Sequence, residues 1–234
     1  MPTNDYRHAA ADYALREVTG TDALAFHEIA RQVRERGLSG RALDAGCGAG
    51  RSTRFLRALG FEAEGLDISP EMITQARKRD PDSAYHVAIV GQPWPLDDAG
   101  FDLVLSTWVA LELDQRGELN ALFAEIARVL KPGGSAFVVG NRAEFYAGQW
   151  VSCEVDFPDN QPPLRSGQRV KARLLPEGVV VTDTFWSDAD YRAAFEAAGL
   201  RVVQAHAPLA FESDIPWQDE VHTAPWVIYE LARN

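Results

Sequence analysis

The chain has 234 residues, 46% of them hydrophobic and 24% charged, with a formal net charge of −11 and a pI near 4.9. That length fits one domain, 1–234, with a substantial core; the acidity argues against a nucleic-acid footprint, which needs a basic face, and against a polyanionic substrate. Cys47 and Cys153 alone make neither a structural zinc site nor a disulfide framework, no run of about 18 apolar residues spans a bilayer, and no apolar leader core is visible. The expectation is a cytoplasmic enzyme, monomeric or homodimeric, without a metal and bound neither to nucleic acid nor to membrane.

In chain order, the first forty residues read as helical. Thr21 can cap a helix with Asp22 in its first turn, Phe26, Ile29, Ala30 and Val33 on one face, and Gly37 as its stop. Tyr6 and Tyr13 lie upstream in a polar, alanine-rich stretch. Ala42-Leu43 then runs into Asp44 and three alternate glycines, Gly46, Gly48 and Gly50, and an amphipathic segment follows from Ser52 to Leu59. This reads as strand, tight turn, helix. Glycines there allow positive φ and close approach of the backbone to a ligand, and in open α/β sheets nucleotide-like ligands sit outside the carboxyl end of the first strand. A dinucleotide fingerprint would have a third glycine where Arg51 stands, and no Gly-Lys-Ser/Thr follows to make a P-loop. Asp44 disfavours a pyrophosphate and suits a ligand with positive charge. Cys47 fits the turn as a small packing residue.

Ala63 to Asp67 reads as a second strand, and Ser69-Pro70-Glu71 opens a helix with a cap, proline at the first position and an acid in the first turn. Tyr85 to Val90 and Phe101 to Ser106 read as strands three and four, with Thr107-Trp108 at the carboxyl end of the fourth. Leu119, Leu122, Phe123, Ile126, Val129 and Leu130 share one helix face, Lys131-Pro132-Gly133-Gly134 ends that helix, and Ser135 to Val139 is strand five. The βα rhythm then breaks. Residues 141–168 carry Pro158, Pro162, Pro163 and the aromatics Phe145, Tyr146, Trp150 and Phe157; loops this long inside a domain are functional or disordered, and aromatics argue against disorder. Arg169 to Leu175 and Val179 to Phe185 form a hairpin around Pro176-Glu177-Gly178. Ser187 opens a helix with Asp190 in the capping-box position, Arg201 to Ala207 and Trp226 to Leu231 are strands, and the segment between them holds Glu212, Asp214, Trp217 and His222.

Residues 43–50 resemble motif I of the class I S-adenosylmethionine-dependent methyltransferases. Residues 64–72 look like that family's second strand with its ribose-binding acid, 95–104 like the approach to strand four, and 128–134 like the turn into strand five. The resemblance covers about residues 40–141, and 187–232 by order of elements. It implies a Rossmann-like α/β open sheet of about seven strands, mostly parallel with an antiparallel last strand and helices on both faces; the broken rhythm and hairpin of 142–186 add a cap inserted after strand five. It implies S-adenosylmethionine as cofactor and methyl transfer to an O, N or C nucleophile of a small molecule, in the manner of natural-product enzymes. The cofactor set is Asp44, Ala45, Gly46, Cys47, Gly48, Gly50, Asp67, Ile68, Gly91, Gln92 and Ser106. Asp67 ends a strand about 20 residues past the glycines, where a carboxylate accepts from ribose hydroxyls. The family's adenine-contacting acid falls at Val90 or Gly91, neither acidic, which leaves backbone carbonyls, Gln92 or water for the adenine amine.

The acceptor set is Tyr13, Trp108, Tyr146, Trp150 and Trp186, from an N-terminal lid over 1–40, the end of strand four and the cap. Tyr13 either closes over the methionine end of the cofactor or packs on the sheet. Residues 142–186 either cap the crevice or cover a sheet edge or a dimer surface. His222, in a polar loop, is the one histidine whose place suits a general base. Two other classes stay open: a protein of this fold that binds S-adenosylmethionine without transferring methyl, such as a cyclisation catalyst, and a nicotinamide oxidoreductase, which the missing third glycine and Asp44 disfavour.

Overall fold

The computed structural model describes residues 17–89 and 92–234. Tyr6, Tyr13 and the rest of the expected lid up to residue 16 lie outside the described residues, as do Val90 and Gly91. Helix α1 (Ala23–Arg36) follows a 3-10 turn at Gly20–Asp22 and stops at Gly37, whose φ of 62° is left-handed. It buries Leu24, Phe26, Ile29 and Val33, the face expected from their spacing. Thr21, however, does not cap it. The Thr21 hydroxyl donates to Glu220 Oε1 at 2.8 Å, and Asp22, at the cap position, is engaged by Arg51 Nη1 at 2.7 Å.

Five parallel strands follow, with helices after the first, second and fourth. Strand β1 (Arg41–Ala45) leads to α2 (Arg51–Ala58), β2 (Glu62–Asp67) to α3 (Pro70–Arg79), and β3 (Ala84–Val87) through a long connection to β4 (Phe101–Thr107). Helix α4 (Arg116–Val129) then runs straight into β5 (Leu130–Asn141). The Ser69 hydroxyl accepts from Met72 N at 3.2 Å and starts α3 with Pro70 behind it. After β5 come β6 (Cys153–Glu154), β7 (Gln168–Leu174), β8 (Val179–Phe185), α5 (Asp188–Ala197), β9 (Leu200–His206) and β10 (Trp226–Arg233).

Seven strands form one sheet in the order β3-β2-β1-β4-β5-β10-β9, with β10 antiparallel to both neighbours and β1, β2, β3, β4 and β5 parallel. Order reverses between β1 and β4, and the carboxyl ends there open the crevice where ligands of such sheets bind. Side chains alternate across the sheet. Leu103, Leu105, Phe137 and Val139 join Leu24, Ile29 and Leu56 on one face. Val104, Ala136 and Val138 join Phe123, Ile126 and Phe195 on the other. Burial on both faces explains the near-continuous apolar runs of β4 and β5.

Two boundaries differ from the sequence reading. Strand β3 ends at Val87 rather than Val90. Strand β5 begins at Leu130 instead of after the Lys-Pro-Gly-Gly turn, because the turn itself pairs: the register against β4 slips between Phe101 and Leu103, Gly133 takes a φ of 82°, and Lys131 Nζ binds the Asp102 carboxylate at 2.8 Å. Strands β6, β7 and β8 form a separate antiparallel sheet. Its Val170, Ala172, Val181 and Phe185 pack with Phe145, Tyr146, Trp150 and Trp226 beyond the ends of β5 and β10. Among the described residues no helix is long and apolar enough to cross a membrane.

Glu220 ties the segments around this second sheet. Its Oε1 accepts from the Thr21 hydroxyl at 2.8 Å and from Val151 N at 2.9 Å, and its Oε2 from Gln218 N at 2.8 Å, all with the residue fully buried. Removing an acceptor that serves buried donors costs their desolvation, so Glu220→Ala is expected to lower the unfolding free energy by about 2–3 kcal/mol. Urea unfolding with an unchanged slope and a lower midpoint would show it; a midpoint equal to wild type would show the ties to be idle.

Candidate functional site

Asp44 is the next-to-last residue of strand β1, and after Ala45 the chain turns through three glycines, all at positive φ: Gly46 at 85°, Gly48 at 51° and Gly50 at 81°. The turn is laced to the neighbouring strand. Gly46 N and Cys47 N both donate to Leu66 O, at 2.7 and 3.0 Å, and Gly48 N donates to Asp67 Oδ2 at 2.8 Å. Asp67 Oδ1 accepts from Ser69 N at 2.9 Å, so one carboxylate fixes the β1 and β2 turns together. Burial raises its pKa against those backbone bonds. A carboxylate offers about four lone-pair directions; two are used by backbone, which leaves both oxygens able to accept from a ligand's hydroxyls.

Asp44 is wholly buried. Its Oδ2 accepts from Ser52 and Thr53 hydroxyls, each at 2.7 Å, in the first turn of α2. Its Oδ1 has no hydrogen-bond partner among the described residues. Burial pushes this carboxyl up to about 6, against the pull of the two hydroxyls. A buried carboxylate with one oxygen to spare is an acceptor waiting for a cation or a strong donor. A Cβ on Gly50 would lie 2.6 Å from the Tyr85 hydroxyl, so only glycine lets this cradle turn close against β3 without being pushed out of shape. Cys47 is buried, with its thiol pushed well up by burial; it packs against Gly65 and is no nucleophile. These features fit a nucleoside ligand with ribose hydroxyls on Asp67 and positive charge near Asp44, as S-adenosylmethionine has.

Ala45 is buried beside the turn and Ile68 is half-buried after Asp67. Ser106 is buried at the end of β4. Gln92 is exposed, with its N–H on Ile89 O at 3.1 Å. Gly91 lies outside the described residues.

A second space adjoins the turn: a cavity of about 70 Å³, counted as room for the centres of water molecules, several times what one water needs. Trp108 lines it from the end of β4, in a left-handed conformation with φ of 59° that costs a non-glycine residue about 1–2 kcal/mol. Its indole N–H is buried without a partner among the described residues. Arg51, first in α2, also lines the cavity, paired with Asp22 at 2.7 Å and lying over the Trp108 ring at 5.7 Å. Asn141, from the end of β5, Phe145 and Trp226 form one wall, and Cys153, Ala172, Val181 and Asp183 bring in the second sheet. Glu112, from the short helix after Trp108, completes the polar part.

Of the aromatics expected at the acceptor, Trp108 alone among the described ones lines this cavity. The others stand one step behind it. The Tyr146 hydroxyl donates to Asp183 Oδ2 at 2.9 Å and accepts from Asn141 Nδ2 at 2.8 Å. Trp150 donates to Phe145 O at 2.6 Å and stacks on the Phe145 ring. Trp186 sits in the core on the opposite face of the sheet and donates to the carbonyls of Ala110 and Leu113, at 3.0 and 3.2 Å, which holds the helix bearing Glu112. His222 does not line the cavity: its side chain is 66% exposed and stands 3.7 Å from Asp219. A stiff, buried aromatic holds its neighbours as effectively as it grips a ligand, and residue type does not separate the two roles. Asp183, Asn141 and Glu112 are additions that the sequence reading passed over. Asp183 had a signal, being the acid on the face of β8 that Val181 and Phe185 make apolar.

The profile of a family described as "Methyltransferase domain" matches residues 43–138. The chain is 32% identical over 179 residues to dTDP-3-amino-3,4,6-trideoxy-alpha-D-glucopyranose N,N-dimethyltransferase of Streptomyces venezuelae, covering 68% of this chain and 75% of that one. It is 40% identical over 92 residues to malonyl-[acyl-carrier protein] O-methyltransferase of Salmonella typhimurium, covering 39% of this chain and 35% of the relative's length. Among solved structures, Streptomyces venezuelae DesVI superposes with a TM-score of 0.65 at 26% identity, over 97% of this chain and 99% of that one.

The cradle is directly testable. Gly50→Ala places a Cβ against the Tyr85 hydroxyl at a backbone angle that L-residues avoid, and is expected to cost about 1–3 kcal/mol of stability and most of the affinity for S-adenosylmethionine. Calorimetry and thermal unfolding together check this; wild-type affinity in a folded Gly50→Ala variant would take the turn out of the site.

Proposed function

This chain belongs to the S-adenosylmethionine-dependent methyltransferases, and on that footing we propose that it transfers a methyl group to a small-molecule nucleophile held in the cavity between Trp108 and the β6–β8 sheet. The observation that carries the reading is the continuity of the two halves. Arg51 follows the glycine turn directly and lines the cavity with Trp108, so a ligand seated at Asp44 and Asp67 has its reactive end beside the acceptor space. When bound, S-adenosylmethionine would supply a methyl group already activated on sulfur and would leave as S-adenosylhomocysteine.

The protein's part is alignment and exclusion of water. Asp44, Asp67 and the three glycines hold the donor, with Ala45, Cys47, Ile68, Gln92 and Ser106 around it. Trp108 lines the acceptor space at the end of β4. Residues 142–186 act as the substrate cap: they supply Phe145, Cys153, Ala172, Val181 and Asp183 to the wall, and Glu220 and Thr21 fasten them to the N-terminal segment. Tyr146, Trp150 and Trp186 keep that wall in place.

The test is incubation with S-adenosylmethionine carrying a deuterated methyl group and a metabolite extract of the source cells. Labelled product and S-adenosylhomocysteine are expected in equal amounts. Asp67→Ala is expected to lose both, with donor binding weaker by about 1.5–3 kcal/mol, the range for hydrogen bonds to a charged group. Tight binding with neither product would favour a non-transferring protein of this fold. Tighter quenching of tryptophan fluorescence by NADH than by S-adenosylmethionine would favour an oxidoreductase.

A further inference from the structure

One relative is named for nitrogen methylation and another for oxygen methylation, so the acceptor atom has to be read from the cavity itself. Three acceptor groups face this space from three different elements. Asp183, on β8, is 5% exposed, and its Oδ2 is taken by the Tyr146 hydroxyl at 2.9 Å and approached by Asn141 Nδ2 at 3.4 Å. Asn141 is also 5% exposed, and that network orients its amide: Nδ2 serves Tyr146 and Asp183, while Oδ1 is buried with no hydrogen-bond partner among the described residues. Glu112 lines the same wall, and its charge acts on Asp183.

An unpartnered carbonyl oxygen beside two carboxylates asks for a ligand with several donors and positive charge. An alcohol offers one donor and no charge. An alkylammonium offers two or three donors and a full charge. Among the described residues no three His, Cys, Asp or Glu side chains are placed together as a metal site. The rings of Trp108, Phe145 and Trp226 make up much of the remaining wall, and aromatic faces attract an organic cation. Arg51, the cation on this wall, is occupied by Asp22 at 2.7 Å.

Resting on the methyl-transfer reading, we propose that the acceptor is a primary or secondary amine, bound as its ammonium ion by Asn141, Glu112 and Asp183, with Asp183 as the catalytic base. Asp183 takes one proton from the ammonium, which leaves a neutral amine with its lone pair free and a neutral carboxylic acid. The amine nitrogen gains the methyl group together with its positive charge, and Asp183 returns its proton to solvent when the methylated ammonium leaves. Burial, and next the charge of Glu112, push the Asp183 carboxyl up to about 7, against the bond from Tyr146. A carboxylate so raised is a stronger base, closer to an amine. The groups around it are Glu112, the Tyr146 and Tyr191 hydroxyls, which burial and next its charge keep protonated well above neutrality, and the Arg51–Asp22 pair on the same cavity. The sign follows: below about pH 7 Asp183 carries a proton and neither attracts the ammonium nor deprotonates it.

Cyclohexylamine and cyclohexanol, matched in shape, are the probes, followed by saturation-transfer NMR with the protein saturated by S-adenosylhomocysteine so that nothing turns over. At pH 8 the amine is expected to bind at least 10-fold more tightly than the alcohol, with the preference fading as pH falls through 7. Asp183→Asn is expected to bring the two within about threefold of each other while S-adenosylhomocysteine affinity stays within twofold of wild type. Should Asp183→Asn not fold, Glu112→Gln carries the test: it is expected to weaken the amine several-fold and to move the pH midpoint down, since a neighbouring negative charge is gone. Equal or tighter binding of the alcohol, or an amine preference unchanged in the folded variant, overturns the proposal and leaves methyl transfer standing. Failure of the wild type to bind S-adenosylhomocysteine at all removes methyl transfer, and this proposal with it.

Discussion

The whole crevice depends on a carboxylate that water never reaches. Asp44 stands next to last in β1, at the point where the strand order reverses, with the Ser52 and Thr53 hydroxyls and the charge of Arg51 to offset its burial. Those two bonds do structural work as well: they pin the first turn of α2 to the end of β1 and so fix the glycine turn between them. A carboxylate in this state is costly to keep charged, and its pKa rises accordingly. The remaining oxygen is buried without a hydrogen-bond partner among the described residues, and on the proposed reading a ligand bearing positive charge repays what burial costs. Asp67 extends the same logic by joining two turns through Gly48 and Ser69.

From this fixed edge the rest of the molecule is arranged by distance. On the methyl-transfer reading proposed above, the donor half is built mainly from residues 44–69, close in sequence and held by backbone hydrogen bonds. The acceptor half is gathered from Asp22, Arg51, Trp108, Glu112, Asn141 and the β6–β8 sheet, and depends on long-range ties such as Glu220 to Thr21 and Val151. Residues 142–186 are therefore part of the site's wall and of the core at once, since Val170, Ala172 and Phe185 pack with Phe145, Trp150 and Trp226. The strained backbone of Trp108 belongs at the seam of the two halves; strain of that kind persists where surroundings over-determine it.

The two halves differed in how far the sequence revealed them. Strand, turn and helix at 41–58 are local: glycine spacing, the preceding acid and the amphipathic run specify them without distant contacts. The same holds for the Ser69-Pro70 and Ser187 helix starts and for the β7–β8 hairpin. Thr21 misled because its surroundings supply Glu220, a partner nearly two hundred residues away. The aromatics misled for another reason. Tyr146, Trp150 and Trp186 are conspicuous in sequence, yet each spends its polar atom on a neighbour: Asp183, Phe145 and the carbonyls of Ala110 and Leu113. Among the polar side chains that line the cavity are the inconspicuous Asn141, Glu112 and Asp183, and only strand alternation around Val181 and Phe185 hinted at the last.

The account stands or falls on what Asp44 is for. Calorimetric titration of S-adenosylmethionine into wild type and Asp44→Asn, from pH 5 to pH 8, measures it. The raised carboxyl, near 6 in the free protein, means that wild-type affinity should fall as pH drops through that value, because the protonated group no longer attracts a cation. Asp44→Asn keeps the shape and loses the charge, so it should bind about 10-fold more weakly or worse at pH 8, roughly 1.4 kcal/mol, and show no pH dependence in that window. A folded Asp44→Asn protein with wild-type affinity and the same pH profile would contradict it.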